Sequence, residues 1–118
     1  MDEGQKRQRY TKRVLQLYLQ LPETPLRHSR ADAQLAEQLY QQKVKQKEIE
    51  QAMLLATARR LSRKAEADPL GPIRTLHYFL PVLQEVKTQP LPEDYIRYLR
   101  IKVEQAIRNS ALLKGTKS

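Results

Sequence analysis

The sequence predicts an all-α fold: a compact bundle of about five helices, with a central third helix and a proline-kinked fourth. Three observations carry this. Leu, Ala, Gln, Lys and Arg dominate the 118 residues, while glycine numbers three and aromatics are few, which favours helix over sheet. Apolar residues recur at three- and four-residue spacings along most of the chain. Prolines and capping residues then divide it into five segments of helical length. Residues 1–118 read as one helical domain, with 1–5 and 114–118 expected to fray. A chain of this size buries roughly two-thirds of its unfolded surface, enough to fold without staples.

The first segment spans about Lys6 to Leu21. Tyr10, Val14, Leu17, Tyr18 and Leu21 share one helical face. "PETP" ends it, because Pro22 and Pro25 cannot continue a helix. "SRAD" opens the second segment, where Ser29 and Asp32 have the spacing of a capping box. Leu35, Ala36, Leu39 and Tyr40 form its face. A turn is expected near Lys43–Lys45, with Val44 pointing inward.

The third segment runs from about Gln46 to Lys64. Ile49, Ala52, Met53, Leu54, Leu55, Ala56, Ala58 and Leu61 cover most of its girth, the pattern of a central helix. "AEADPLGP" reads as a linker, after which Pro72 suits the first position of a fourth helix. That helix, "GPIRTLHYFLPVLQEV", holds Pro81. Proline lacks an N–H and clashes with the carbonyl four residues back, here that of His77. Either the helix kinks at His77–Pro81, or it splits and Pro81 starts a second short helix. If the bend wraps Phe79, Leu80 and Leu83 around the third helix, Pro81→Ala should cost ~1 kcal/mol or more. "LPEDY" opens the fifth segment, with Glu93 and Asp94 matching the positive helix end. Ile96, Leu99, Val103 and Ile107 are its buried face.

Charge points to function. Lys and Arg number 22 against 13 Asp and Glu, a net +9 with a pI near 10.0. Such a balance suits a polyanion. It is unevenly spread: residues 1–30 carry +4, 31–64 carry +3, 65–91 carry −1 and 92–118 carry +3. The apolar fourth segment is therefore the uncharged centre, with basic elements around it. Three clusters are candidates for phosphate contact: Lys6, Arg7, Arg9, Lys12 and Arg13; Lys43, Lys45 and Lys47; and Arg59, Arg60, Arg63 and Lys64. The last also ends a helix, where cations stabilise the macrodipole. At least two of Arg59, Arg60 and Arg63 are expected to touch phosphate. Tyr10, Tyr40 and Tyr98 are candidates to stack single-stranded bases.

Other chemistries find little support. The chain has no cysteine, so disulfides, thiolate metal sites and a cysteine nucleophile are excluded. The two histidines, His28 and His77, are far apart in sequence, and Glu48 and Glu50 do not share a helical face. No metal-ligand spacing, phosphate-binding glycine loop or nucleophile elbow occurs. No catalytic residue, metal or cofactor is expected. No apolar run is long enough to span a membrane, and the polar N-terminus lacks a signal-peptide core. A cytoplasmic chain, complete from Met1 or nearly so, is expected.

Helix pairs such as "SRADAQLAEQLYQQKVKQKEIEQAMLLATARR" are also seen in helix-turn-helix proteins, whose second helix enters a major groove. Here that helix is very apolar along its middle, so phosphate contact from helix ends is the better expectation. "LGPIRTLHYFLPVLQEV" following the "LA..LY…IE.A" helix pair resembles the helical accessory domains of bacterial replication initiators and DnaD-like primosomal helicase loaders. Ile73, Leu76, Phe79 or Leu80, and Glu85 are the matching positions, within a span of roughly Ser29 to Val86. Pro81 departs from the pattern, and the winged-helix half of such proteins is absent. The resemblance implies DNA binding inside a multiprotein assembly on plasmid, phage or transposon DNA, and no catalytic residue. The sequence-level expectation is a non-enzymatic accessory protein that binds nucleic acid, DNA before RNA, with a possible protein partner. The alternatives are a helical small subunit of an RNA-guided or other ribonucleoprotein complex and a protein-only adaptor for an acidic partner.

Overall fold

The structure, a computed structural model, describes residues 2–63 and 66–115, with the side chains of the last helix described to Asn109. Five α-helices follow one another: α1 Glu3–Gln20, α2 Arg30–Gln41, α3 Gln46–Leu61, α4 Leu80–Thr88 and α5 Glu93–Gly115. A single turn of 3-10 helix, Leu76–Phe79, leads into α4. One contiguous hydrophobic core draws on all five helices.

Local chemistry sets the helix ends. Asp2 caps α1, its Oδ1 accepting the Gln5 N–H at 2.8 Å. Helix therefore begins at Glu3, three residues before Lys6. After α1, Glu23 takes a left-handed backbone (φ 65°) and its carbonyl accepts the Ile73 N–H at 2.9 Å. Ser29 and Asp32 form the expected capping box of α2. Ser62 ends α3, so Arg63 lies beyond the helix and Lys64 falls outside the described residues. α5 runs to Gly115, and the remaining residues expected to fray, 116–118, lie outside the described ones.

α1 and α2 form an antiparallel hairpin. Tyr10 meets Tyr40 edge-on at 5.3 Å, and the Tyr40 hydroxyl donates to Glu3 at 2.5 Å. α3 is the centre, packing against α1, α4 and α5. All seven residues from Ala52 to Ala58 are buried. Small side chains at Ala52, Ala56 and Ala58 let neighbouring helices approach closely. Leu61 departs from the expected face, being 40% exposed at the helix end. From α5, Leu99 and Val103 are buried, while Ile96 and Ile107 are only half-buried at the margin.

The fourth segment is where the expectation of a kinked helix changes. Residues 71–75 are extended, so Pro72 starts no helix. Thr75 accepts the His77 N–H at 3.2 Å and opens the 3-10 turn. α4 then starts at Leu80 with Pro81 in its first turn, the split rather than the kink. Ile73, Leu76, Phe79, Leu83 and Val86 are all buried, so the break does let this stretch wrap the core. Pro81 itself is exposed and occupies a position where a missing N–H costs nothing. The expected cost of Pro81→Ala therefore falls. Thermal melts should show a change below about 1 kcal/mol, mainly from lost restriction of the unfolded chain. A larger loss would mean that proline is needed to hold the turn open.

Asp32 ties this segment to the rest. Its carboxylate is 1% exposed. It accepts the Ser29 N–H at 2.9 Å, the Leu76 N–H at 2.9 Å and the Thr75 hydroxyl at 3.2 Å. Burial alone would raise its pKa. The backbone N–H groups of Ser29 and Leu76, with the Ser29 and Thr75 side chains, more than offset this and hold it below the ordinary value.

Among the described residues, no helix is long and apolar enough to cross a membrane. Nor does any group of three His, Asp or Glu side chains there stand where it could hold a metal ion.

Candidate nucleic-acid interface

The five basic residues of α1 are all exposed. Tyr10, Val14 and Tyr18 turn one face into the core, so Lys6, Arg9, Lys12 and Arg13 fall on the outer face with Gln16 and Gln20. Arg13 is paired with Glu50 of α3 at 3.2 Å. Among the described residues, no carboxylate pairs with Lys6, Arg9 or Lys12. This leaves a cationic strip along the helix.

The second cluster sits on the α2–α3 turn, and its backbone explains its geometry. The Val44 N–H reaches the Leu39 carbonyl and the Lys43 N–H the Tyr40 carbonyl, both at 3.0 Å. This is the Schellman pattern, with Lys43 in the left-handed position at φ 62°. Glycine is the residue that usually occupies that position, because a Cβ is unfavourable there. Val44 is buried as expected and anchors the turn, while Lys43, Lys45 and Lys47 project around it, exposed. Lys43→Gly should therefore raise stability by ~0.5–1 kcal/mol, read in a denaturant melt. A neutral or negative result would show that the lysine side chain itself supports the fold.

The turn joins other basic elements. A groove of about 560 Å³ runs between Arg7 of α1 and Lys43 and Lys45, with Glu3 and Tyr40 in its wall. A second groove, of about 700 Å³, lies between the N-terminal ends of α3 and α5. Lys45, Lys47, Arg97 and Arg100 line it, together with Glu48 and Glu93. Lys45 belongs to both walls, so it forms the ridge between the grooves. Six cations from α1, the turn and α5 are thus gathered at one end of the bundle. The three carboxylates among them have local duties: Glu3 accepts the Tyr40 hydroxyl, Glu48 caps α3 through the Lys45 N–H at 2.9 Å, and Glu93 opens α5. Two helix N-termini add partial positive charge at the larger groove.

Arg97 and Arg100 were not among the residues singled out in the sequence. Their signal was their position one turn after "LPED", but nothing in the sequence says that this helix start meets the α3 start. Arg97 also pairs with Asp94 one turn earlier, a contact between two exposed groups.

The third cluster is engaged differently. The Arg59 guanidinium makes a two-pronged pair with Glu85 of α4 at 2.9 and 2.8 Å. That hydrogen-bonded pair raises the arginine pKa and lowers the carboxylate's. Arg60 is deeper, its side chain only 8% exposed. It donates to Glu23 at 2.5 Å, to the Gly71 carbonyl at 2.8 Å and to the Tyr78 hydroxyl at 3.2 Å, and its charge lies 5.5 Å from the Tyr78 ring centre. Arg63 donates to the Asp68 carbonyl at 2.6 Å. Arg59 and Arg60 therefore hold α3 to α4, to the α1–α2 loop and to the extended segment. Arg60, only 8% exposed, could meet a phosphate only by giving up these partners, whereas Arg59 is half exposed and keeps free N–H donors.

The tyrosine candidates divide as well. Tyr10 is buried, and burial, aided by Glu48, pushes its pKa up to about 12. Tyr40 is half-buried and bonded to Glu3. Tyr98 is 56% exposed. His28 and His77 are exposed and distant in the chain, and His77 Nδ1 lies 3.0 Å from the Thr75 hydroxyl. The middle of α3, buried on all sides, has no face left to lie in a DNA groove.

Comparison with protein-family models, curated proteins and solved structures finds no match to this chain.

Proposed function

We propose that the protein is a non-enzymatic nucleic-acid-binding factor that grips the phosphate backbone with the α1 strip and the basic end of the bundle. Lys6, Arg7, Arg9, Lys12, Lys43, Lys45 and Lys47 are the contacts, with Arg97 and Arg100 added. Arg59, Arg60 and Arg63 serve the fold. One observation carries the reading: segments far apart in sequence deliver their cations to the same end, where Glu3 is bonded to a tyrosine hydroxyl and Glu48 caps a helix. The left-handed Lys43 supports it, because a charge stands where glycine would be the more stable choice. DNA is the preferred polyanion, and an accessory role in replication or mobile-element DNA transactions, within a multiprotein assembly in the cytoplasm, fits the resemblance of Ser29–Val86.

Fluorescence anisotropy with labelled duplex and single-stranded oligonucleotides, titrated across salt, tests this. Each phosphate neutralised contributes about −0.9 to the log–log slope for duplex and about −0.7 for single strand. The nine contacts, if all made, give a slope of about −8 for duplex by this rule. An absence of binding to either form at low salt overturns the proposal.

A further inference from the structure

We infer that α5 carries a base-stacking platform, made by Tyr95 and Tyr98, that gives the protein a preference for single-stranded nucleic acid. The inference rests on the phosphate-binding reading and extends it to the strand form. Tyr95 and Tyr98 lie side by side one helical turn apart, their rings 6.1 Å between centres and inclined by only 18°. They are 42% and 56% exposed, and Ile101, next along the same outward face, is 60% exposed. Leu99 and Val103 anchor the buried face of α5. The helix thus presents aromatic surface to solvent.

The surroundings identify the occupant. Lys102 flanks the platform, its amino group 6.0 Å from the centre of the Tyr98 ring and hydrogen-bonded to the Ser62 hydroxyl at 2.5 Å. Arg97 and Arg100 line the basic groove on another face of the same helix. An apolar protein partner would not call for a cation beside two stacked rings. A single strand does, because its unpaired bases offer π-faces while its phosphates need positive charge. A duplex keeps its bases stacked internally and gains nothing from the rings. The larger groove and the rings lie on different faces of α5, so a strand that crosses this helix can set its phosphates on Arg97 and Arg100 and its bases on the tyrosines.

The test compares wild type with Tyr95→Ala/Tyr98→Ala and with Tyr95→Phe/Tyr98→Phe. The probes are a labelled oligothymidylate and a duplex, titrated across salt, with sedimentation run on each protein. The alanine pair should bind the single strand about ten- to a hundredfold more weakly. Its salt slope and its duplex affinity should stay unchanged, because no phosphate contact is lost. The phenylalanine pair should bind like wild type, since the rings remain. Equal single-strand affinity in the alanine pair overturns the platform while leaving phosphate binding intact. Wild type that binds neither probe overturns both readings. Wild type that dimerises, with dimer and not single-strand affinity lost in the alanine pair, overturns the platform in favour of self-association.

Discussion

Asp32→Ala is expected to lower the melting temperature by roughly 10–15 °C, the shift that ~3 kcal/mol produces in a domain of this size. The loss has two sources. The capping box of α2 loses one of its two hydrogen bonds, the one from the Ser29 N–H, while the Ser29 hydroxyl still accepts the N–H of residue 32. The Leu76 N–H, which reaches a carboxylate that is itself 1% exposed, is left without its acceptor, as is the Ser29 N–H. A buried donor without a partner costs about 1–3 kcal/mol. Asp32→Asn keeps an oxygen in place and should lose less. The charge adds a pH dependence with a definite sign. Donors hold the folded carboxyl below its ordinary value, so the folded state binds the proton more weakly than the unfolded chain. The contribution is complete above the unfolded value near 4 and drains away as pH falls through the folded one. Wild type should therefore lose stability on acidification more steeply than Asp32→Asn. Parallel acid limbs, or an alanine variant that melts within a few degrees of wild type, would show that another group holds the extended segment to α2.

Lys43→Gln/Lys45→Gln/Lys47→Gln is expected to weaken nucleic-acid binding by about a hundredfold or more at 0.1 M salt, with the log–log salt slope shallower by nearly three units. All three side chains are exposed. The cap of α3 uses the Lys45 backbone N–H and not its side chain, so the helix keeps its start. The melting temperature should stay the same or rise. Substituting Arg60 inverts this pattern: the fold weakens and the slope holds, because that side chain is 8% exposed and already bonded to three groups. Affinity in the lysine triple variant equal to wild type would remove the turn from the interface.

The helices were legible because their causes are local. The Ser29–Asp32 box, Val44 turning inward and the apolar girth of α3 each depend on residues within a turn or two of one another. Pro81 posed a choice that local rules could not decide, since a kink and a split both satisfy a missing N–H. Asp32 decided it. Its carboxylate holds Leu76 and Thr75 from 44 and 43 residues away, which keeps residues 71–75 extended. Long-range partners also explain what was illegible at the site. Arg59 and Arg60 carry the same local signature as any basic helix end. Only the fold brings Glu85 and Glu23 to them, across separations of 26 and 37 residues. Arg97 and Arg100 gain their place by the same kind of meeting, when the start of α5 settles beside the start of α3.

The central claim is that one end of the bundle, and not the C-terminal end of α3, meets the phosphate backbone. Amide chemical-shift mapping by NMR tests it most directly, using labelled protein titrated with a short oligonucleotide at low salt. The largest shifts are expected along residues 6–13, at 43–48 and at 95–100, with the amides of 56–61 and 71–73 little changed. Shifts confined to the Arg59–Arg63 region, or spectra that do not move on adding the oligonucleotide, would contradict it.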